Sequence, residues 1–507
     1  MKPSIVFTFS YLLLACASPS GNDSGGTTTD ASEDTTSSGE AESSGGATGG
    51  PCGGTDSTGN TDSNGHSDSN GETASGGGHD VDPMRIPGGG VASPPIDGEL
   101  NVFVVMEQTD TPMAGVTVCL GDMEGVTDGE GLVVFHDAAL QGPQTVTASL
   151  PGYAVATWVG VAGANLTMTL STSNVAPPTA HASGTLSLPA PAALSVDEYY
   201  VGLVFYSHTP LLGAPENVIE QPTAMDGTPL NVCVRSALSP PDYMCNWQLT
   251  SRVGRQAHYA VIAKGNIAGT PNDTTDDTYE LVGYGIKTGL DLQDGDDISN
   301  ETFDMLDMSA AVDVTVSFAE APMGVPERLA LPYLDLGEDG HLVIPVPSLK
   351  PTTSTTKVPA LQGPFASGSY HVVSFANVSA TQPVPYSVTL VRNIDLALPV
   401  TLPEWLPPPS GLARNGNGFT FIETTGTSLR VAIFLNTQKQ RLWIVTLLDG
   451  SMTFSLPERV NDVLGSGDVE YHVLAVEILN FDPLDFSLLG FQSKMTRLAE
   501  HHTLLTP

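Results

Sequence analysis

Residues Thr111–Phe135 read TPMAGVTVCLGDMEGVTDGEGLVVF. Val116, Val118 and Leu120 alternate with Thr117 and Cys119, a glycine–aspartate step follows, and a second apolar run begins at Leu132. A two-residue period places alternate side chains on one face of an extended chain, so the stretch predicts short strands joined by tight turns. Working outward, Leu100–Val105, Val116–Leu120, Leu132–Phe135, Thr145–Leu150 and Leu166–Leu170 are short and rich in Val and Leu. Gly, Pro and Asp clusters separate them. This spacing predicts a β-sandwich over residues 96–172.

The same segment resembles the carboxypeptidase regulatory-like domain, a transthyretin-like accessory sandwich of exported proteins. The resemblance is carried by TPMAGVTVCL, GVTDGEGLVVF and LQGPQTVTASLPGY. It implies that Asp128–Gly131 turns the chain between strands and that Gly152-Tyr153 closes the sheet. It also implies a scaffold, because the family module performs no peptidase chemistry.

Beyond this module the pattern continues. HASGTLSL, YYVGLVFYSH, AHYAVIAKG, ELVGYGIKTGL, VDVTVSF, HLVIPV, GSYHVVSFANV and YSVTLV all read as strands. An alternating pattern restarts after the acidic segment that ends near Met308, giving a β-sandwich over 179–308 and a β-rich domain over 309–402. The proline cluster LPEWLPPPSG (Leu402–Gly411) opens a last, fibronectin-like sandwich over 403–507, with GFTFIE, SLRVAIFL, RLWIVTLL and YHVLAVEIL as its strands. The expected class is therefore all-β, as tandem sandwiches.

The opening residues place this array. Lys2, the apolar run Ile5–Leu14 and the small Ala15 have the layout of a signal peptide (1–15), too short to span a bilayer. Leu13–Cys16 (LLAC) resembles the lipobox of bacterial lipoproteins, which implies acylation of Cys16, cleavage just before it and attachment to the membrane. Acyl chains contribute about 0.8 kcal/mol per buried CH₂, so several chains on one residue hold a protein firmly. Ala17-Ser18 lacks the aspartate that retains some relatives at the inner membrane, so the resemblance further implies outer-membrane sorting. From Ala17 to Asp80, 39 of 64 residues are Gly, Ser or Thr and 11 are Asp or Glu, with no Lys, Arg or large apolar residue. Such a segment cannot bury enough surface to offset chain ordering, so residues 16–95 are expected to form a disordered acidic tether. A tether followed by β-modules is similar to lipoproteins of myxobacteria.

With 56 acidic against 18 basic residues, a formal charge of −38, the chain is repelled by nucleic acid and by anionic lipid. The expected partners are the membrane, through the lipid, and a protein or glycan ligand. Two cysteines, Cys233 in PLNVCVRS and Cys245 in DYMCNWQLTS, flank the loop ALSPPD. If that loop closes a hairpin, both stand opposite each other, and an exported protein meets an oxidising compartment. A Cys233–Cys245 disulfide is expected; the other reading is two reduced, buried thiols. Cys119 reads as a core thiol, and Cys52 lies in the tether.

Catalytic signatures are missing from the sequence. There is no H-E-x-x-H, C-x-x-C, G-x-S-x-G or phosphate-binding glycine loop. No catalytic residue, metal ligand or cofactor is assigned. His136, His208, His258, His341, His371 and His472 are scattered and read as surface or core residues; His501-His502 adjoin at a terminus expected to fray. The acidic loops Asp291–Asp297 (DLQDGDD) and Leu334–Gly340 (LDLGEDG) offer carboxylates suited to calcium without its full ligand spacing, and read as solvated turns. Tyr199-Tyr200, Trp158 and Trp443 would serve as sugar platforms if exposed and fill the core if not. Three functions stay open: a non-enzymatic anchored protein that binds or spaces a partner, a glycan-binding lipoprotein, and a hydrolase with an unfamiliar site.

Overall fold

A computed structural model describes residues 81–107, 109–172, 178–190, 194–207, 230–240, 243–267, 278–343, 353–379, 382–422, 426–456 and 464–506. Residues 1–80, on which the expected signal peptide, Cys16, Cys52 and most of the expected tether fall, lie outside the described residues, as does His208.

The stretch around Thr111–Phe135 folds as its alternation requires. Thr117–Leu120 and Met123–Val126 pair antiparallel, with Val118 and Leu120 buried. Asp128 then turns the chain: its Oδ1 accepts from the backbone N–H groups of Glu130 and Leu132. Gly131 follows at φ 75°, where an added Cβ would lie 2.7 Å from the Val104 carbonyl oxygen. Only glycine fits there. The observed strands Asp97–Met106, Leu132–Gln141, Gln144–Ser149 and Gly163–Leu170 cover the expected positions.

Three strands of this region were not anticipated: Gly90–Pro95, Met123–Val126 and Val155–Val161. The first lies within the segment whose composition suggested tether. It is held because Ile86, Val91 and Ile96 are buried, and because Met84 and Ile86 donate their N–H groups to Asn165 Oδ1 and Thr167 Oγ1.

The molecule is all-β, built of sandwiches that share sheets. One sheet runs Phe486–Ser487, Gly90–Pro95, Gly163–Leu170, Asp97–Met106, Leu132–Gln141. The second sandwich pairs Val232–Ser236, Glu198–Tyr206, Gly254–Asn266, Thr278–Leu292 and Asp304–Asp307 in one sheet with Cys245–Arg252, Thr179–Leu186 and Asp297–Glu301 in the other. The central element is a twelve-stranded sheet. From one edge it contains His341–Val343, Glu327–Asp335, Ser369–Ser379, Gln382–Val391, Met495–Leu505, Val469–Ile478, Leu429–Asn436, Arg441–Leu447, Val155–Val161, Gln144–Ser149, Thr117–Leu120 and Met123–Val126.

Two junctions make that sheet continuous. Arg441–Leu447 pairs parallel with Val155–Val161, joining the last quarter of the chain to the first module. Gln382–Val391 pairs antiparallel with Met495–Leu505. The expected divisions near 308 and 402 therefore do not separate independent cores. Leu331, Tyr333, Val373 and Phe375 pack with Leu100, Trp158 and Ile478 on one face of the sheet. Ala330, Leu334, Tyr370 and Val372 pack with Tyr259, Tyr284 and Met308 on the other. Both faces of Glu327–Asp335 are covered, which explains its unbroken apolar run LALPYL: alternation disappears when a strand has no solvent side.

Candidate functional site

Cys233 and Cys245 form a disulfide, with Cα atoms 5.7 Å apart. Its setting differs from the expected hairpin. Cys233 pairs with the Glu198–Tyr206 strand and Cys245 with the Thr179–Leu186 strand, so the bond joins the two sheets of the second sandwich. Cys119 is corrected more fully: it is half-buried and disulfide-bonded, with a partner outside the described residues, and is not a core thiol. On its strand Val118 and Leu120 take the core face, so Cys119 faces the other way.

The two acidic loops use their carboxylates on the protein itself. In Leu334–Gly340, Arg255 reaches Glu338 at 3.0 Å and Asp339 at 2.9 Å, while Asp335 accepts from His371 Nε2 at 3.1 Å and from Gly337 N–H at 2.8 Å. In Asp291–Asp297, Asp294 accepts from Thr179 N–H and Asp296 from Gln293 N–H. Both are turns, and among the described residues no three His, Cys, Asp or Glu side chains converge as a metal site. Tyr199, Tyr200, Trp158 and Trp443 are all buried, so none is a sugar platform.

Imidazole–carboxylate pairs form the polar interior. At His371, Asn393 N–H donates to Nδ1 at 2.8 Å, which places the ring proton on Nε2, where it is donated to Asp335. Ser369 Oγ lies 3.5 Å from that same Nε2. Serine and aspartate thus meet one nitrogen, and the ring is not a base aimed at the hydroxyl, as a hydrolytic triad requires. His371 and Gly337 hold the Asp335 carboxyl below its ordinary range against its partial burial. In the second sandwich, fully buried His258 bonds Glu301 through Nδ1 at 2.9 Å.

A further cluster lies on Val469–Ile478 and Met495–Leu505, where His472 stands directly opposite His502. His472 Nδ1 meets Glu500 at 2.8 Å and Nε2 meets Glu470 at 3.1 Å; both nitrogens are donors, so the ring is an imidazolium. Burial opposes that charge, but the bonds to Glu470 and Glu500 win and raise the His472 pKa to about 9. The bond from His472, joined by Lys439 at 2.6 Å, lowers Glu470 to about 2 despite burial. Tyr386 O–H donates to Glu500 at 2.5 Å. His502 stacks on His472 with ring centroids 4.7 Å apart; burial and the neighbouring charge lower its pKa. The terminal histidine pair therefore lies in a strand and does not fray. Glu470, Glu500, Lys439 and Tyr386 were not singled out from the sequence; the signal was a glutamate and a histidine at i and i+2 in each strand, Glu470 with His472 and Glu500 with His502.

The class defined by this architecture is an all-β protein of fused sandwiches stitched by buried ion pairs. No protein-family model and no curated protein matches the sequence. Similar solved structures include a tetra-tandem repeat from the extending region of a large adhesion protein, at 8% identity over 80% of this chain and 98% of that chain, with a TM-score of 0.13. BcpA, the major pilin subunit of Bacillus cereus, gives 10% identity over 70% and 99%, with a TM-score of 0.12. Native E. coli alpha-2-macroglobulin gives 9% over 78% and 27%, with a TM-score of 0.10. At such TM-scores these likenesses carry no argument about function.

Proposed function

We propose that this chain is a lipid-anchored, non-enzymatic protein of the bacterial cell envelope, sorted to the outer membrane, that binds or spaces a protein or glycan partner. The observation that carries the reading is the continuous twelve-stranded sheet, which makes the first and last modules one body. A body of that kind suits transmitting position or load from an anchor. The non-enzymatic part is supported by the geometry of His371 and His472, whose ring nitrogens are bonded to structural partners. The anchor rests on LLAC ahead of a Gly/Ser/Thr-rich segment.

The test is fractionation of cells expressing the full chain and its Cys16→Ser variant. The parent should partition into detergent with acyl mass on its Cys16 peptide, and the variant should be soluble or uncut. A parent lacking acyl mass overturns the anchor. Turnover of ester, peptide or glycoside substrates that disappears in His371→Ala overturns the non-enzymatic role.

A further inference from the structure

The loop and helix after Val469–Ile478 enclose a cavity of about 200 Å³. Asn480, at φ 53°, turns the chain out of the strand. Asp482 Oδ1 then accepts from Leu484 N–H, and the helix Leu488–Lys494 begins at Ser487, whose Oγ accepts from Gly490 N–H. Folded this way, the segment brings Phe481, Phe486 and Phe491 to the cavity wall together with Asp482, Asp485 and Lys494. Phe481 and Phe486 lie with ring centroids 5.4 Å apart and planes tilted by 57°. Asp482 and Asp485 are exposed, so both carboxylates meet solvent.

Each property of the wall selects the same ligand class. Aromatic faces attract cations through the ring quadrupole. Two carboxylates against one ammonium leave the lining with a net negative charge, which repels anions and favours a monocation. The size is right for a compact group, since a cavity of about 150 Å³ holds a molecule as large as benzene. We propose that this cavity binds a small organic cation, a primary or quaternary ammonium group seated against the three phenylalanines and neutralised by Asp482 and Asp485. The site is independent of the anchoring role and of every residue used above to support it.

The test titrates the full chain with choline, phosphocholine and the uncharged choline isostere 3,3-dimethyl-1-butanol, followed by calorimetry and by aromatic NMR shifts. Choline should bind more tightly than the isostere, and Asp482→Asn and Asp485→Asn should each weaken it about three- to tenfold. Asparagine keeps the turn-forming oxygen, and unchanged melting of the variants checks the fold. The net negative lining should bind choline more tightly than phosphocholine; tighter binding of phosphocholine would show that the wall attracts the phosphate and would overturn the assignment to a cation. Equal binding of choline and its neutral isostere, or no heat and no phenylalanine shift with choline at millimolar concentration, likewise overturns it. The wild-type comparison of cation with isostere decides the matter even where a variant fails to fold.

Discussion

The indole Nε1–H of Trp443 donates to Thr157 Oγ1 at 2.9 Å in a fully buried setting, although 286 residues separate the two. Trp443 belongs to the aromatic core of the last sandwich, stacked on Phe434 at 4.9 Å, and Thr157 to the first module. Replacing Thr157 by Val keeps the shape and orphans the indole donor. A buried donor without a partner costs about 1–3 kcal/mol. Thr147, which meets Thr157 Oγ1 at 3.0 Å, is the control: Thr147→Val leaves the indole bonded and should cost less. Chemical denaturation of the full chain checks both, and equal midpoints for wild type and Thr157→Val would refute the role given to this bond.

A chain ending at Leu402 should not hold the native fold of its first three modules. It would lose the parallel neighbour of Val155–Val161 and the antiparallel neighbour of Gln382–Val391, and it would bare the core that Leu448, Val476, Ile478 and Leu498 complete. Exposed strand edges and apolar faces of this kind favour aggregation. Hydrogen exchange should find both strands unprotected in the truncated chain; native protection there would show that the modules fold separately.

Stability should depend on pH through His472. Its folded pKa of about 9 lies above the ordinary value of 6.5, so its contribution is complete below 6.5 and is lost as pH rises through 9. Glu470, lowered from 4.5 to about 2, contributes above 4.5 and loses that contribution as pH falls through 2. The pair together is most stabilising between those ordinary values. Because the two shifts describe one interaction, the expected alkaline loss is on the order of 2–3 kcal/mol. Unfolding free energies from pH 6 to 9.5 should fall for wild type and stay flatter for His472→Gln; parallel curves would refute the assignment.

Removing the inter-sheet disulfide should weaken the second sandwich. Cys233 and Cys245 are 12 residues apart, and closing a loop of that size is worth about 3 kcal/mol in the chain-entropy model. The double variant Cys233→Ser/Cys245→Ser should unfold at lower denaturant, and mass spectrometry of the non-reduced protein should find the two peptides linked. Free thiols at both positions would contradict the structure.

A Cβ at Gly184 would sit 2.2 Å from the Glu301 carbonyl oxygen and 2.9 Å from the Trp247 ring. Neither neighbour can yield easily, since Trp247 is buried and Asp297–Glu301 pairs parallel with Gly184's own strand. Gly184→Ala should therefore destabilise by about 1–3 kcal/mol, the usual cost of overpacking. A thermal melt unchanged from wild type would show that the three strands of this sheet can shift apart without penalty.

The sequence alone determined the local structure. Alternating Val and Leu with Gly, Asp and Pro between them set the strands and many turns, because side-chain period and φ/ψ restrictions act within a few residues. It also indicated the Cys233–Cys245 pair, although it missed that Cys119 is bonded. Sheet order and core sharing were decided by the tertiary structure. Parallel pairing of Val155–Val161 with Arg441–Leu447, covering of both faces of Glu327–Asp335, and the meeting of His472 with Glu500 all join residues distant in the chain. A local pattern states that a strand needs a neighbour and a face needs cover, but many strands here satisfy the same need. The choice among them is made by the packing of the whole body, where complementary volume and buried charge favour one arrangement over the others.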